Sequence, residues 1–107
     1  MHAVIRHYEH AAELIALMTE RTDEVERVMS TARGFVEYHA IRNGNALTTV
    51  TVCQDETGTE ESTRLAATWV KENLPEHVVK QLSPLMTAGD PFINFAAPQR
   101  LPSPAQR

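Results

Sequence analysis

The chain has 107 residues, 42% of them hydrophobic and 22% charged, with a formal net charge of -4. That is enough chain for one domain with one core, and the negative balance without a basic run excludes a general affinity for nucleic acid or anionic membrane. A single cysteine, Cys53, excludes an intrachain disulfide and a multi-cysteine zinc site.

Residues 2–9, "HAVIRHYE", alternate as a strand, with Val4, Arg6 and Tyr8 on one face and Ala3, Ile5 and His7 on the other. The period then changes. Leu14, Leu17, Met18, Val25, Val28 and Met29 recur at helical spacing, Thr22 and Asp23 offer a fresh cap within the run, and "TARGF" closes it with Gly34 suited to a left-handed position. "FVEYHAI" reads as a strand that is apolar on both faces, with Phe35, Glu37, His39 and Ile41 on one side and Val36, Tyr38 and Ala40 on the other. "RNGN" predicts a hairpin with a type I′ turn, and the β-branched run "ALTTVTVCQ" returns from it.

After the loop "DETGT", Leu65, Ala66, Trp69, Val70 and Leu74 form a helical stripe, with Thr59 as the cap and Asn73 and Pro75 at the end. "PEHVVKQL" predicts a further short helix with Pro75 at its first position, "SPLMTAGDP" a loop, and "FINFAA" the last strand, starting after Pro91. The tail, residues 98–107, carries three prolines and little to bury, so it is expected to be disordered, leaving residues 1–97 as the single domain.

The element order is β-α-β-β-α-β, a ferredoxin-like α+β fold with a four-stranded antiparallel sheet. Two helices cover one face. The other carries too much apolar surface for a soluble monomer, so a second copy of the chain, packed through a two-fold axis, is the expected cover. No signal peptide or membrane-length apolar run is visible, and a reduced cytoplasmic protein is the default expectation.

"HAVIRHYE", "ARGFVEYHAI", "VTVCQD" and "EESTRLAATWVKENL" together resemble the dimeric α+β barrel superfamily, and within it the antibiotic-biosynthesis-monooxygenase-like branch. A Gly-Phe pair opening the second strand, and an acid closing the third before an acidic helix start, carry the likeness over residues 2–82. The resemblance implies a homodimer with a pocket for a small aromatic ligand. Enzymes of the superfamily include cofactor-free monooxygenases of phenolic polyketides, quinol oxidases and haem-degrading enzymes.

The monooxygenases hold an aromatic substrate with a Trp and with Asn and Arg or Tyr neighbours. The candidates that answer to this are Trp69, Tyr38, Tyr8 and Asn73 for substrate binding, Arg6 to stabilise an anion and His39 to accept a proton. Trp69 also fits a plain core position. Which of these residues share a pocket depends on strand register.

His77 invites comparison with the axial His of haem-degrading members, yet their strand-one Asn is absent, with His7 near its position, and Pro75 interrupts the spacing. His2, His7 and His10 are not at metal-ligand spacing, and the four glycines are isolated, so neither a metal, a cofactor nor a phosphate loop is expected. The leading expectation is a cofactor-independent monooxygenase or oxidase of small aromatic or quinol substrates. A non-catalytic dimeric binding or structural module is the alternative and haem binding the second. The residues leave the choice between enzyme and binding module open.

Overall fold

A computed structural model describes residues 1–98; the expectation for residues 99–107 lies outside it. The elements in chain order are β1 (His2–Tyr8), α1 (Ala12–Glu20), α2 (Thr22–Met29), β2 (Phe35–Asn43), β3 (Ala46–Cys53), α3 (Glu56–Asn73), α4 (Glu76–Val79) and β4 (Leu85–Gly89). The strands form one antiparallel sheet in the order β2-β3-β1-β4, the ferredoxin-like arrangement. No helix among the described residues is long and apolar enough to cross a membrane.

The helical run after β1 is split, as the internal Thr22 and Asp23 implied. The break falls at Arg21, whose φ of -118° and ψ of 40° leave the helical region. Thr22 does not cap α2: its hydroxyl donates back to the carbonyls of Met18 and Thr19. The N-cap of α3 is Asp55, whose carboxylate accepts from the Gly58 amide, so the helix starts earlier than a Thr59 cap predicted. Gly58 lies where α3 presses on the chain leading into β2: a Cβ there would sit 2.1 Å from the Arg33 carbonyl oxygen.

Two features of the sheet depart from the sequence expectation. Val36 is the extra residue of a β-bulge, because Phe35 pairs with Cys53 and Glu37 with Val52. The bulge switches strand parity, so Phe35 lies on the same face as Tyr38 and Ala40 rather than opposite them. The hairpin loop has positive φ at Gly44 (61°) but not at Asn45, which is the type II′ pattern rather than I′.

The last strand is also displaced. Leu85–Gly89, expected as loop, pairs along β1 from His7↔Leu85 to Ala3↔Gly89. "FINFAA", expected as strand, pairs with nothing among the described residues and leaves Phe92, Ile93 and Phe95 at 88%, 67% and 90% exposure.

The core lies between the helices and one face of the sheet. Tyr8, Ala11, Leu14, Leu47, Trp69 and Val70 are buried there, with Ile15, Met18, Val25 and Leu74 packed around them. In β3 the buried residues alternate strictly as Leu47, Thr49, Thr51 and Cys53. The opposite face has no cover from its own chain among the described residues.

Candidate functional site

The helices do not close on the sheet evenly. Toward β2 a cavity of about 600 Å³ remains, walled by Ile15, Met18, Val25 and Met29 from α1 and α2 and by Phe35, Tyr38, Ala40 and Leu47 from the sheet. Its volume is that of a small-molecule site and its walls are mostly apolar. Glu26 lies in the helical wall and Arg42 at the sheet rim. Behind Tyr38, a second space of about 30 Å³ reaches Tyr8, Thr49 and Trp69, room for about one water.

Strand register ties this cavity to a buried cation. Arg6 pairs with Thr49 and Thr49 with Ala40, so the three make one row across the helix-covered face, running from beneath α3 to the cavity wall. Arg6 is 1% exposed. Its Nη1 donates to Thr51 Oγ1 (3.2 Å), and its Nη2 to Ser62 Oγ and Thr63 Oγ1 (2.8 Å each). All three acceptors are neutral hydroxyls, and none of the ion pairs among the described residues includes Arg6. Its Nε and the Thr49 hydroxyl are buried without a partner. An ionised group removed from water with no counter-charge and an unfilled donor is costly unless something anionic approaches it.

The two tyrosines next to it stay neutral. Burial, and then the neighbouring Tyr8, push the Tyr38 phenol up to about 12, with Arg6 pulling the other way. Burial also raises Tyr8 against the pull of Arg6. For Arg6 itself burial lowers the pKa, opposed by Tyr8 and Tyr38. Both phenols are therefore hydrogen-bond donors at neutral pH, not bases.

The structure thus gathers four of the six residues singled out in the sequence. Tyr38, Tyr8 and Trp69 line the two spaces; Arg6 lines neither, and reaches them through its pairing with Thr49 in the smaller space and its charge on the two tyrosines. His39 is not with them. It pairs with Val50 on the uncovered face, where its Nε2 lies 2.7 Å from Glu37 Oε2 with the side chain 59% exposed. Adjacent strand residues point to opposite faces, so Tyr38 and His39 are divided by the sheet itself.

Asn73 also lies apart, one helical turn beyond Trp69. Its Nδ2 donates to the Trp69 carbonyl (2.8 Å) and its Oδ1 accepts from Arg21 Nη1 (2.7 Å). Trp69 Nε1 donates to Glu24 Oε2 (2.7 Å), so α3 is fastened to the α1–α2 elbow through both residues. His77, the haem candidate, is exposed on α4 and lines neither cavity.

Sequence reasoning missed the hydroxyls that hold Arg6 and the carboxylates Glu24 and Glu26. One signal was present: Thr49 and Thr51 share the strand parity of an inward Leu47, which makes that buried face partly polar.

No family model and no curated protein sequence matches the chain. Solved structures do resemble it. SnoaB, a cofactor-independent oxygenase from Streptomyces nogalater, is 17% identical with a TM-score of 0.53, covering 95% of this chain and 96% of that one. MhuD, in a mutant form with two manganese protoporphyrin IX bound per active site, is 9% identical with a TM-score of 0.63, over 91% of this chain and 100% of that one. A dimeric ferredoxin-like protein from an uncultured marine organism is 13% identical with a TM-score of 0.56, over 90% and 97%. At these identities the likeness is one of fold. The fold of this chain, a ferredoxin-like α+β arrangement, is similar to that of these proteins.

Proposed function

We propose that the protein is a homodimer whose helix-covered cavity binds a small aromatic molecule with an ionisable hydroxyl, and that it oxidises such aromatic or quinol substrates with O₂ and no cofactor. The observation that carries this reading is the buried Arg6, charged and without a carboxylate, in register with the unpartnered Thr49 hydroxyl and the cavity wall at Ala40. Its field favours the phenolate over the phenol, and the surrounding apolar wall strengthens that field by excluding water. Tyr8 and Tyr38 contribute as neutral donors and Trp69 as a flat wall. Glu26, which with Glu37 is one of two acidic residues in the wall, can take the hydroxyl proton, the role expected of His39 from residue chemistry alone.

An electron-rich phenolate can pass electrons to O₂ directly. A quinol loses two electrons and two protons, leaving a quinone and hydrogen peroxide. At an activated methylene, one oxygen atom becomes the carbonyl while the other leaves as water with both methylene hydrogens. The resemblance to a cofactor-independent oxygenase supports this reading without specifying a substrate.

The test is a panel of naphthohydroquinones and hydroxyaryl ketones, followed by oxygen uptake and by fluorescence of Trp69, the only tryptophan. Arg6→Met fills the same space without charge. Because replacing a buried charge with apolar volume is often neutral or stabilising, the variant is expected to fold at least as stably as the parent. Its oxygen uptake should fall at least tenfold. Saturable quenching of Trp69 without oxygen uptake would favour the non-catalytic binding module; unchanged turnover in Arg6→Met would remove the assignment.

A further inference from the structure

The large cavity differs from one end to the other. β2 supplies one side of it with the alternate residues Tyr38, Ala40 and Arg42. Their partners across the sheet are Thr51, Thr49 and Leu47, all buried under the helices, so the three share the helix-covered face. The register shift in β2 lies between Phe35 and Glu37, which leaves the stretch from Tyr38 to Arg42 regular. Four residues of regular strand place the Cα atoms of Tyr38 and Arg42 about 14 Å apart. Between them Ala40 offers only a methyl group, so the strip is flat where an aromatic ring would lie on it.

The two ends of the strip differ in chemistry. At one end Tyr38 is a neutral phenol that donates a hydrogen bond. At the other, next to the hairpin, stands a fixed cation. Among the described residues Arg42 is the only basic one that lines the cavity. The chain as a whole is acidic, with a net charge of -4. Even so, none of the ion pairs among the described residues includes Arg42, and Glu26 of the helical wall is not joined to it. An exposed arginine elsewhere on the surface would be satisfied by water alone. At this mouth its planar fork is held on a strand, beside apolar walls, and matches a carboxylate with two parallel hydrogen bonds. A doubly charged group such as a phosphate is disfavoured by Glu26 and Glu37 in the same wall.

Size sets the rest. A cavity of about 600 Å³ exceeds what a single substituted ring needs, and its far end, at Met29 and Phe35, is apolar. Fused rings have room there, with their charge kept at the mouth.

We infer that Arg42 determines specificity: within the reading proposed above, on which this rests, the ligand is a fused-ring aromatic acid, its hydroxyl at the Tyr38 end of the strip and its carboxylate, on the far side of the ring system, held by the Arg42 guanidinium. The carboxylate is a handle and takes no part in the oxidation. It fixes which end of the molecule meets Tyr38.

Calorimetric titration at neutral pH with 6-hydroxy-2-naphthoate, its isomer 1-hydroxy-2-naphthoate and 2-naphthol tests this. The parent is expected to bind the first at least fivefold more tightly than either of the others. The isomer has its two groups side by side and cannot span the strip. In Arg42→Gln the preference for 6-hydroxy-2-naphthoate over 2-naphthol should fall at least fivefold. Arg42→Lys, which keeps the charge and loses the fork, should fall between the two. Arg42 is exposed, so both variants should unfold as the parent does. A parent that binds 2-naphthol or the isomer as tightly as 6-hydroxy-2-naphthoate, or a preference that survives in Arg42→Gln, would overturn the role of Arg42 and leave the phenol-binding cavity standing. A parent that binds none of the three at millimolar concentration would remove the cavity reading, and this inference with it.

Discussion

The two faces of this sheet both mix polar and apolar residues, which a simple half-buried sheet does not. Under the helices β1 and β3 place Arg6, Thr49 and Thr51, all at most 3% exposed. On the uncovered face the same strands place Ile5, Val50 and Val52, with Ile5 41% exposed. Polar groups are enclosed beside Val4, Tyr8, Leu47 and Cys53, and on the open face apolar ones stand beside His7 and Thr48. Burying an arginine among hydroxyls contributes little to stability, so that face is arranged for something other than packing. An outward row of isoleucine and valine is a surface for association. In the function proposed above, the covered face takes the ligand and the open face the partner.

The largest effect that would sharpen this contrast is a truncation on each face. Trp69 is 8% exposed against Tyr8, Leu14 and Val70, and Trp69→Ala should destabilise the monomer by about 3–5 kcal/mol. Ile41 is 55% exposed, and Ile41→Ala should change monomer unfolding by no more than about 0.5 kcal/mol while weakening association. Urea unfolding followed by circular dichroism, at concentrations where the chain is monomeric, reads both. A comparable loss in the two variants would mean the open face is packed from within the chain.

Most of the fold was legible because its signals are local. The alternation of "HAVIRHYE", the turn glycine at Gly44 and the stripe from Leu65 to Leu74 each specify an element without reference to another. The failures needed tertiary information. β4, "LMTAG", has neither alternation nor a β-branched run, and becomes a strand because the free edge of β1 supplies its hydrogen bonds. "FINFAA" has the pattern of a strand, yet Leu85–Gly89 takes the place beside β1 and residues 92–97 pair with nothing among the described residues. The bulge at Val36 reversed the face assignment of Phe35, since one unpaired residue flips every side chain on one side of it. For the site, Arg6 and Trp69 were visible as residue types. Their partners Ser62, Thr63 and Glu24 were not, because those contacts span 45 to 57 positions of sequence.

A middle-sized effect comes from pH. Tyr38 titrates at about 12 in the folded chain against 10.0 ordinarily, chiefly because it is buried. Between those values the unfolded chain has released this proton and the folded chain still holds it. The stability that the neutral phenol confers is complete below about pH 10 and is lost as pH rises through 12. Allowing for partial exposure, the loss is about 2 kcal/mol. Unfolding midpoints from about pH 8 to about 11.5 should fall in the parent and fall less in Tyr38→Phe, with tyrosinate absorbance reporting the titration. Identical slopes would place Tyr38 in open solvent, and the cavity wall would lose its donor.

The smallest effect is the most discriminating, because it concerns neighbours in sequence. Tyr38 faces the cavity and His39 the open side, where its contact with Glu37 is an exposed pair worth at most about 1 kcal/mol. His39→Ala should therefore leave quenching of Trp69 by bound phenols within twofold of the parent, whereas Tyr38→Phe, removing one donor oxygen, should weaken it several-fold. One hydrogen bond to a charged ligand is worth about 1.5–3 kcal/mol, enough for that separation. Loss of binding in His39→Ala with Tyr38→Phe unaffected would relocate the ligand to the uncovered face. The space between two copies would then be the binding site, with the helix-covered cavity left as a defect of packing around a buried arginine.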